Sequence, residues 1–241
     1  MTQVTPYKDK KESKKAQVET MFDNIASSYD RLNHILSAGI DVLWRKKAIR
    51  FLSQYEPKVI MDMATGTGDF AFEAMRLKPE IIYAIDLSVN MLDIGQQKSV
   101  KKKTTDTIKF IKGDAENLDL ESNTIDAITV GFGVRNFENL KTGLKEMNRV
   151  MKPGGHIAIL ELSKPRKFPI KQGFDFYFHN ILPIIGKLLS KDNHAYNYLP
   201  NSVEAFPENE EFISIMQECG FTESKWTPLT FGICAMYTGS K

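Results

Sequence analysis

Two glycines and two acids, Gly66, Gly68, Asp62 and Asp86, are the residues whose spacing first suggests chemistry. The run Val59-Ile60-Met61-Asp62-Met63-Ala64-Thr65-Gly66-Thr67-Gly68-Asp69 reads as a strand, a turn and the start of a helix. Gly66 and Gly68 carry no Cβ, so the backbone beside Thr67 can pass close to a ligand. The apolar run Ile81–Ile85 ends in Asp86, and a carboxylate at a strand's end can accept two hydroxyl hydrogen bonds from a ribose. A third apolar run, Ile108–Ile111, is followed by Gly113-Asp114-Ala115, where Asp114 can accept from an adenine amino group. The pattern therefore points to a cofactor that contains adenosine, with plain turn chemistry as the alternative.

Gly66-x-Gly68-x-x-Ala71 also fits the dinucleotide fingerprint. The flanking carboxylates of Asp62 and Asp69 would repel a pyrophosphate, whereas they suit the ammonium and sulfonium of S-adenosylmethionine. The acids thus favour S-adenosylmethionine over a nicotinamide dinucleotide. His, Cys, Asp and Glu show no metal-ligand spacing, and Cys219 and Cys234 stand apart from any such cluster, so no metal is expected.

Elements must place these residues at one edge. After Ile108–Ile111 come a strand at Ile125–Val130, an amphipathic helix at Leu140–Met151 that should stop at Lys152-Pro153-Gly154-Gly155, and a strand at Ile157–Leu162. Strands alternating with helices imply a parallel sheet covered on both faces. Phe221–Pro228 and Phe231–Tyr237 are joined by a link far shorter than the dozen or so residues of a parallel crossover, so the sheet should end in a reversed strand. The expected organisation is one domain over 1–241, with a polar, frayed tail over 1–18, N-terminal helices over 19–55 and a helical lid insertion over 165–210.

Hydrophobic residues make up 42% of the 241, enough for a sizeable core, and a formal net charge of +2 does not favour a nucleic-acid partner. The basic clusters Lys8–Lys15 and Lys101–Lys103 read as solvated tail and loop. A charged N-terminus and two cysteines suggest a reducing, cytoplasmic compartment. The pattern specifies no oligomeric state.

Over most of its length the sequence resembles class I S-adenosylmethionine-dependent methyltransferases. Three segments narrow the resemblance to the quinone-biosynthesis C-methyltransferases: Phe22-Asp23-x-Ile25-Ala26-x-x-Tyr29-Asp30-x-Leu32-Asn33, Gly131-Phe132-Gly133-Val134-Arg135-Asn136, and Phe206-Pro207. The resemblance implies a Rossmann-like α/β fold with a seven-stranded sheet, mostly parallel, whose last strand is reversed. It implies methylation of a ring carbon of a polyprenyl quinol: demethylmenaquinol, or a ubiquinone precursor. Carried over, the cofactor contacts fall on Thr67, Asp86, Asp114 and Ala115, with Gly66, Gly68, Asp62 and Gly131 around them. Arg135 would stabilise a developing phenolate or position a water, Asn136 would orient a ring oxygen, and Tyr29 would cover the cofactor. His179, among aromatics, reads as a packed residue or a general base. Phe174–Leu189 reads as a lid helix, a tunnel for the prenyl tail, or a peripheral contact with the membrane.

Overall fold

The computed structural model describes residues 4–7, 9–37, 39–177, 180 and 193–241. Two long helices come first, α1 (Lys14–Ser37) and α2 (Ile40–Leu52). The alternating part follows: β1 (Val59–Met63), α3 (Asp69–Ala74), β2 (Ile81–Asp86), α4 (Val89–Lys102), β3 (Ile108–Lys112), β4 (Ile125–Gly131), α5 (Leu140–Val150) and β5 (Met151–Leu162). Then come α6 (Ile170–Phe176), α7 (Asn193–Ala205), α8 (Glu210–Glu218), β6 (Thr222–Leu229) and β7 (Cys234–Ser240).

The seven strands form one sheet in the order β3-β2-β1-β4-β5-β7-β6. Strands β1 to β5 pair parallel, and β7 runs antiparallel to both β5 and β6. The reversed strand is therefore present, but it lies between β5 and β6, leaving β6 at the edge.

Side chains alternate between the two faces with the strand period of two. Ile60, Ala158 and Leu160 face a core built with Trp44, Ala48, Ile49 and Leu52 of α2 and Phe70 of α3. Met61, Met63, Ile157 and Ile159 face the opposite core, with Leu144 and Met147 of α5 and Phe212 and Met216 of α8. The α2 residues recur at helical spacing, which turns one apolar stripe onto the sheet. Each such side chain fully removed from water contributes about 1.5–3 kcal/mol.

Two expectations are corrected. Lys152-Pro153-Gly154-Gly155 ends α5 but does not delay the strand, because β5 already pairs at Met151 and its register against β4 shifts between Ile125 and Ala127. A Cβ on Gly155 would sit 3.0 Å from the Asp126 carbonyl oxygen and 2.9 Å from that of Lys152, so glycine lets the strand pass. The N-terminal residues are not a frayed tail up to Val18. Helix α1 starts at Lys14, Tyr7 and Val18 are buried, and the Gln17 side chain accepts from the Tyr7 N–H at 2.9 Å.

Candidate functional site

A cleft opens at the carboxyl ends of β1, β2 and β4. Of the residues singled out in the sequence, Tyr29, Gly66, Asp86, Asp114, Ala115, Gly131 and Asn136 line it. Asp86 is held from both sides: one carboxylate oxygen accepts the Gly66 N–H at 2.7 Å, the other the Ser88 N–H at 2.9 Å. Each oxygen has a further lone pair, so the carboxylate can still take two hydroxyls. Burial raises its pKa, and the backbone donors at Ser88, Gly66 and Leu87 oppose that rise.

Asp62 is not in the cleft lining. It is fully buried, accepting from Thr129 at 2.6 Å and from Thr65 at 2.5 Å. Burial pushes its pKa up to about 6 against the pull of these hydroxyls and of the Ala71 N–H. It braces the loop from beneath. The Thr67 hydroxyl likewise turns away from the cleft, donating to Asp30 at 2.5 Å and accepting from Lys98 at 2.9 Å. Gly66 and Gly68 both have positive φ. Gly68 is required by packing, since a Cβ there would meet the Phe110 ring at 2.7 Å.

Ala64 and Phe132 adopt left-handed backbone conformations at the ends of the adjacent strands β1 and β4. For residues with a Cβ this is strained, and it persists only where the surroundings hold it. Gly133 supplies the fit, because a Cβ on it would lie 2.5 Å from the Ala64 Cβ. The cofactor loop and the Gly131–Asn136 segment are thus one packed unit.

Helix α1 spans this edge, and its polar side chains fasten it there. Lys14 donates to the carbonyls of Arg135 and Phe137, both at 2.9 Å, and burial with the nearby Arg135 charge lowers its pKa to about 8. Lys15 pairs with Asp114 at 2.6 Å. Asp23 accepts from the Ser88 hydroxyl at 2.5 Å, and Asp30 pairs with Lys98 at 2.6 Å. Tyr29 belongs to this helix, and its ring lies 3.8 Å from the position of a Cβ on Gly66. Lys14 and Lys15 are therefore structural fasteners, contrary to the expectation of a solvated basic cluster. Asp23, Asp30 and Lys98 were not foreseen as site residues. Asp23 and Asp30 do lie in the segment that carries the resemblance, whereas nothing in the sequence marks Lys98 of α4.

Arg135 sits on the turn Val134–Asn136, just past β4. Its Nη1 donates to Glu161 at 2.8 Å and to the Phe132 carbonyl, and its side chain is 9% exposed against 0% for Glu161. The partner is thus a buried acid on β5, not a surface carboxylate. Arg135 Nε and Asn136 Oδ1 are buried without a hydrogen-bond partner among the described residues. His179 lies outside the described residues.

The residues present fit S-adenosylmethionine: an anchored acid for the ribose, a close-approach loop, and a second acid, Asp114, across the cleft. Comparison with known proteins agrees. The model of the ubiE/COQ5 methyltransferase family matches residues 9–241. Similar proteins include a demethylmenaquinone methyltransferase of Bacteroides fragilis, 50% identical over 95% of this chain and 94% of the relative. One of Porphyromonas gingivalis is 44% identical over 99% and 98%. A ubiquinone/menaquinone biosynthesis C-methyltransferase of Geotalea daltonii is 41% identical over 93% and 96%. A solved methyltransferase from Thermotoga maritima shares the fold at a TM-score of 0.65 and 20% identity, covering 92% of this chain and 99% of that one. The chain belongs to the ubiE/COQ5 methyltransferase family.

Proposed function

We propose that this S-adenosylmethionine-dependent methyltransferase methylates a ring carbon of demethylmenaquinol, giving menaquinol. The observation that carries the reading is the 50% identity, over nearly the full length of both chains, to a protein named as a demethylmenaquinone methyltransferase. The sulfonium is already an activated electrophile, so the chain need supply no nucleophile. Its work is to align the acceptor ring and to ease loss of a phenolic proton, which makes the ring electron-rich. In this reading Asp86 holds the ribose, Asp114 with Ala115 frames the adenine, and Tyr29 on α1 covers the cofactor. Asp62, Thr67 and Gly68 keep the loop in shape, and Gly66 and Gly131 admit the ligand. Arg135 steadies the developing phenolate, and Asn136 orients a ring oxygen.

The reading extends to one domain in which α6 and α7, the described helices of the 165–210 insertion, serve as a lid; most of Phe174–Leu189, the stretch expected to meet the prenyl tail, lies outside the described residues. No helix among the described residues is long and apolar enough to cross a membrane. Phe168, Phe176 and Phe231 are exposed, with Arg166, Lys167 and Lys171 close by in sequence to the first two, which supports a peripheral contact with an anionic bilayer.

The second reading, methylation of a ubiquinone precursor, is favoured by the 41% identity to the relative named for both pathways. Mass spectrometry of products from reduced demethylmenaquinone and from the demethylated benzoquinol, each in anionic vesicles with S-adenosylmethionine, decides between them. Gain of one methyl by the naphthoquinol alone is expected. Gain by neither would remove both readings, and protein left wholly in the supernatant on pelleting the vesicles would remove the membrane contact.

Asp62 gives a pH signature. With a folded pKa of about 6 above its ordinary 3.8, the folded protein binds more protons than the unfolded chain between those values. Stability of the cofactor-free protein should therefore fall as pH rises through that window. A cationic ligand favours the ionised acid, so S-adenosylmethionine affinity should fall as pH drops below roughly 6, with proton release on binding. Calorimetry from pH 5 to 7.5 checks this, and Asp62→Asn should flatten the dependence.

A further inference from the structure

We propose that Tyr198 contacts the acceptor. Its hydroxyl, Arg135 Nε and Asn136 Oδ1 together form a three-point site for one phenolic oxygen of the ring. The inference rests on the quinol reading above and adds a residue and a hydrogen-bond pattern to it.

Tyr198 lies on α7, which packs onto the turn carrying Arg135 and Asn136. It is 4% exposed, in a cluster with Val18, Met21, Ile25 and Met91. Val18 and Met91 of that cluster also line the cleft, so Tyr198 belongs to the packing that backs it. The charges of Arg135 and Glu161 both act on its hydroxyl, whose pKa burial raises. The hydroxyl is therefore a neutral donor at physiological pH.

Among the described residues, three polar atoms around this turn have no hydrogen-bond partner: Arg135 Nε, Asn136 Oδ1 and the Tyr198 oxygen. Leaving a buried polar group unmet costs about 1–3 kcal/mol, so a group of three calls for a ligand that meets them. Their polarity is specific. Arg135 Nε only donates, Asn136 Oδ1 only accepts, and Tyr198 can donate. The Asn136 orientation follows from its Nδ2, which donates to the Phe132 carbonyl at 3.4 Å. A phenol accepts two hydrogen bonds and donates one, so it matches the set in number and direction. A quinone carbonyl would leave Asn136 Oδ1 unmet, which makes the site selective for the reduced ring.

The test compares the full-length protein with Tyr198→Phe. Because the hydroxyl has no hydrogen-bond partner among the described residues, its removal should leave the melting temperature unchanged or raised. S-adenosylhomocysteine affinity should be unchanged. With S-adenosylhomocysteine bound and under anaerobic conditions, 1,4-dihydroxynaphthalene should bind about tenfold more weakly to the variant. Naphthalene, which has no oxygen, should bind both proteins alike. Turnover of reduced demethylmenaquinone should lose about tenfold in kcat/KM. Equal diol affinity in the two proteins would overturn the proposal. So would a matching loss for naphthalene or for S-adenosylhomocysteine, since either marks a change of shape. A wild-type protein that binds the diol with the expected difference but methylates no quinol would remove the quinol function and leave the phenol site standing.

Discussion

Arg135→Ala is expected to abolish methyl transfer and to cost about 3–5 kcal/mol of stability, the penalty for stranding a buried charge. Glu161 is fully buried, and its two oxygens receive the Arg135 side chain and the backbone N–H groups of Arg135 and Leu162. Without the guanidinium the carboxylate keeps only backbone donors in a low-dielectric interior. Loss of activity in this variant alone would therefore say little about catalysis. The double variant Arg135→Met/Glu161→Gln separates the two effects. It removes both charges while keeping similar volumes, so most of the lost stability should return. Turnover should stay more than about a hundredfold below wild type, since the donor proposed for the phenolate is still missing. Urea unfolding and single-turnover assays on the three proteins give both numbers. Recovered turnover in the double variant would reduce Arg135 to a structural partner of Glu161.

Asp86→Asn should weaken S-adenosylhomocysteine binding by roughly a hundredfold. Both carboxylate oxygens already accept a backbone N–H, from Gly66 and from Ser88. An amide presents one NH2 group, which must confront one of those donors. The substitution thus disturbs the loop and also removes the charged acceptor for a ribose hydroxyl. A hydrogen bond to a charged group contributes about 1.5–3 kcal/mol, and two are weakened here. Calorimetry reads the affinity, and melting curves report whether the fold survives. An affinity within threefold of wild type would mean that the cofactor is not held at Asp86.

Several of these features were legible in the chain because their signals are local. An apolar run that ends in one acid places Asp86 at a strand's end, and the glycine pair places the loop. The short link between the last two apolar runs requires an antiparallel pair, because two extended segments so joined can only run back on each other. The Gly131–Asn136 segment was recognisable as a string of residues, although the strain at Phe132 and the close approach of Gly133 to Ala64 were not.

Other features depend on which distant group a side chain meets. Thr67, expected at the cofactor, gives its hydroxyl to Asp30 of α1. Lys14 and Lys15, read as solvated, reach the far side of the fold at Phe137 and Asp114. Glu161 in the apolar run Ile157–Leu162 carried no mark of burial. Only the placement of β7 against β5 on one side, and of Arg135 above it, makes a buried carboxylate tolerable there.

What the sequence determined by itself was the order of strands and helices from β1 to β5 and the edge at which the acids and glycines gather, down to Asp86 and the loop at Gly66. Periodicity and turn chemistry act over a few residues, and those are written directly in the chain. The tertiary structure decided the insertion of β7 between β5 and β6, the fastening of α1 across the cleft, the pairing of Arg135 with Glu161, and the meeting of Tyr198 with the Arg135–Asn136 turn. Those choices depend on how the whole core fills and on which buried charges and polar groups find partners. No window of neighbouring residues contains that information.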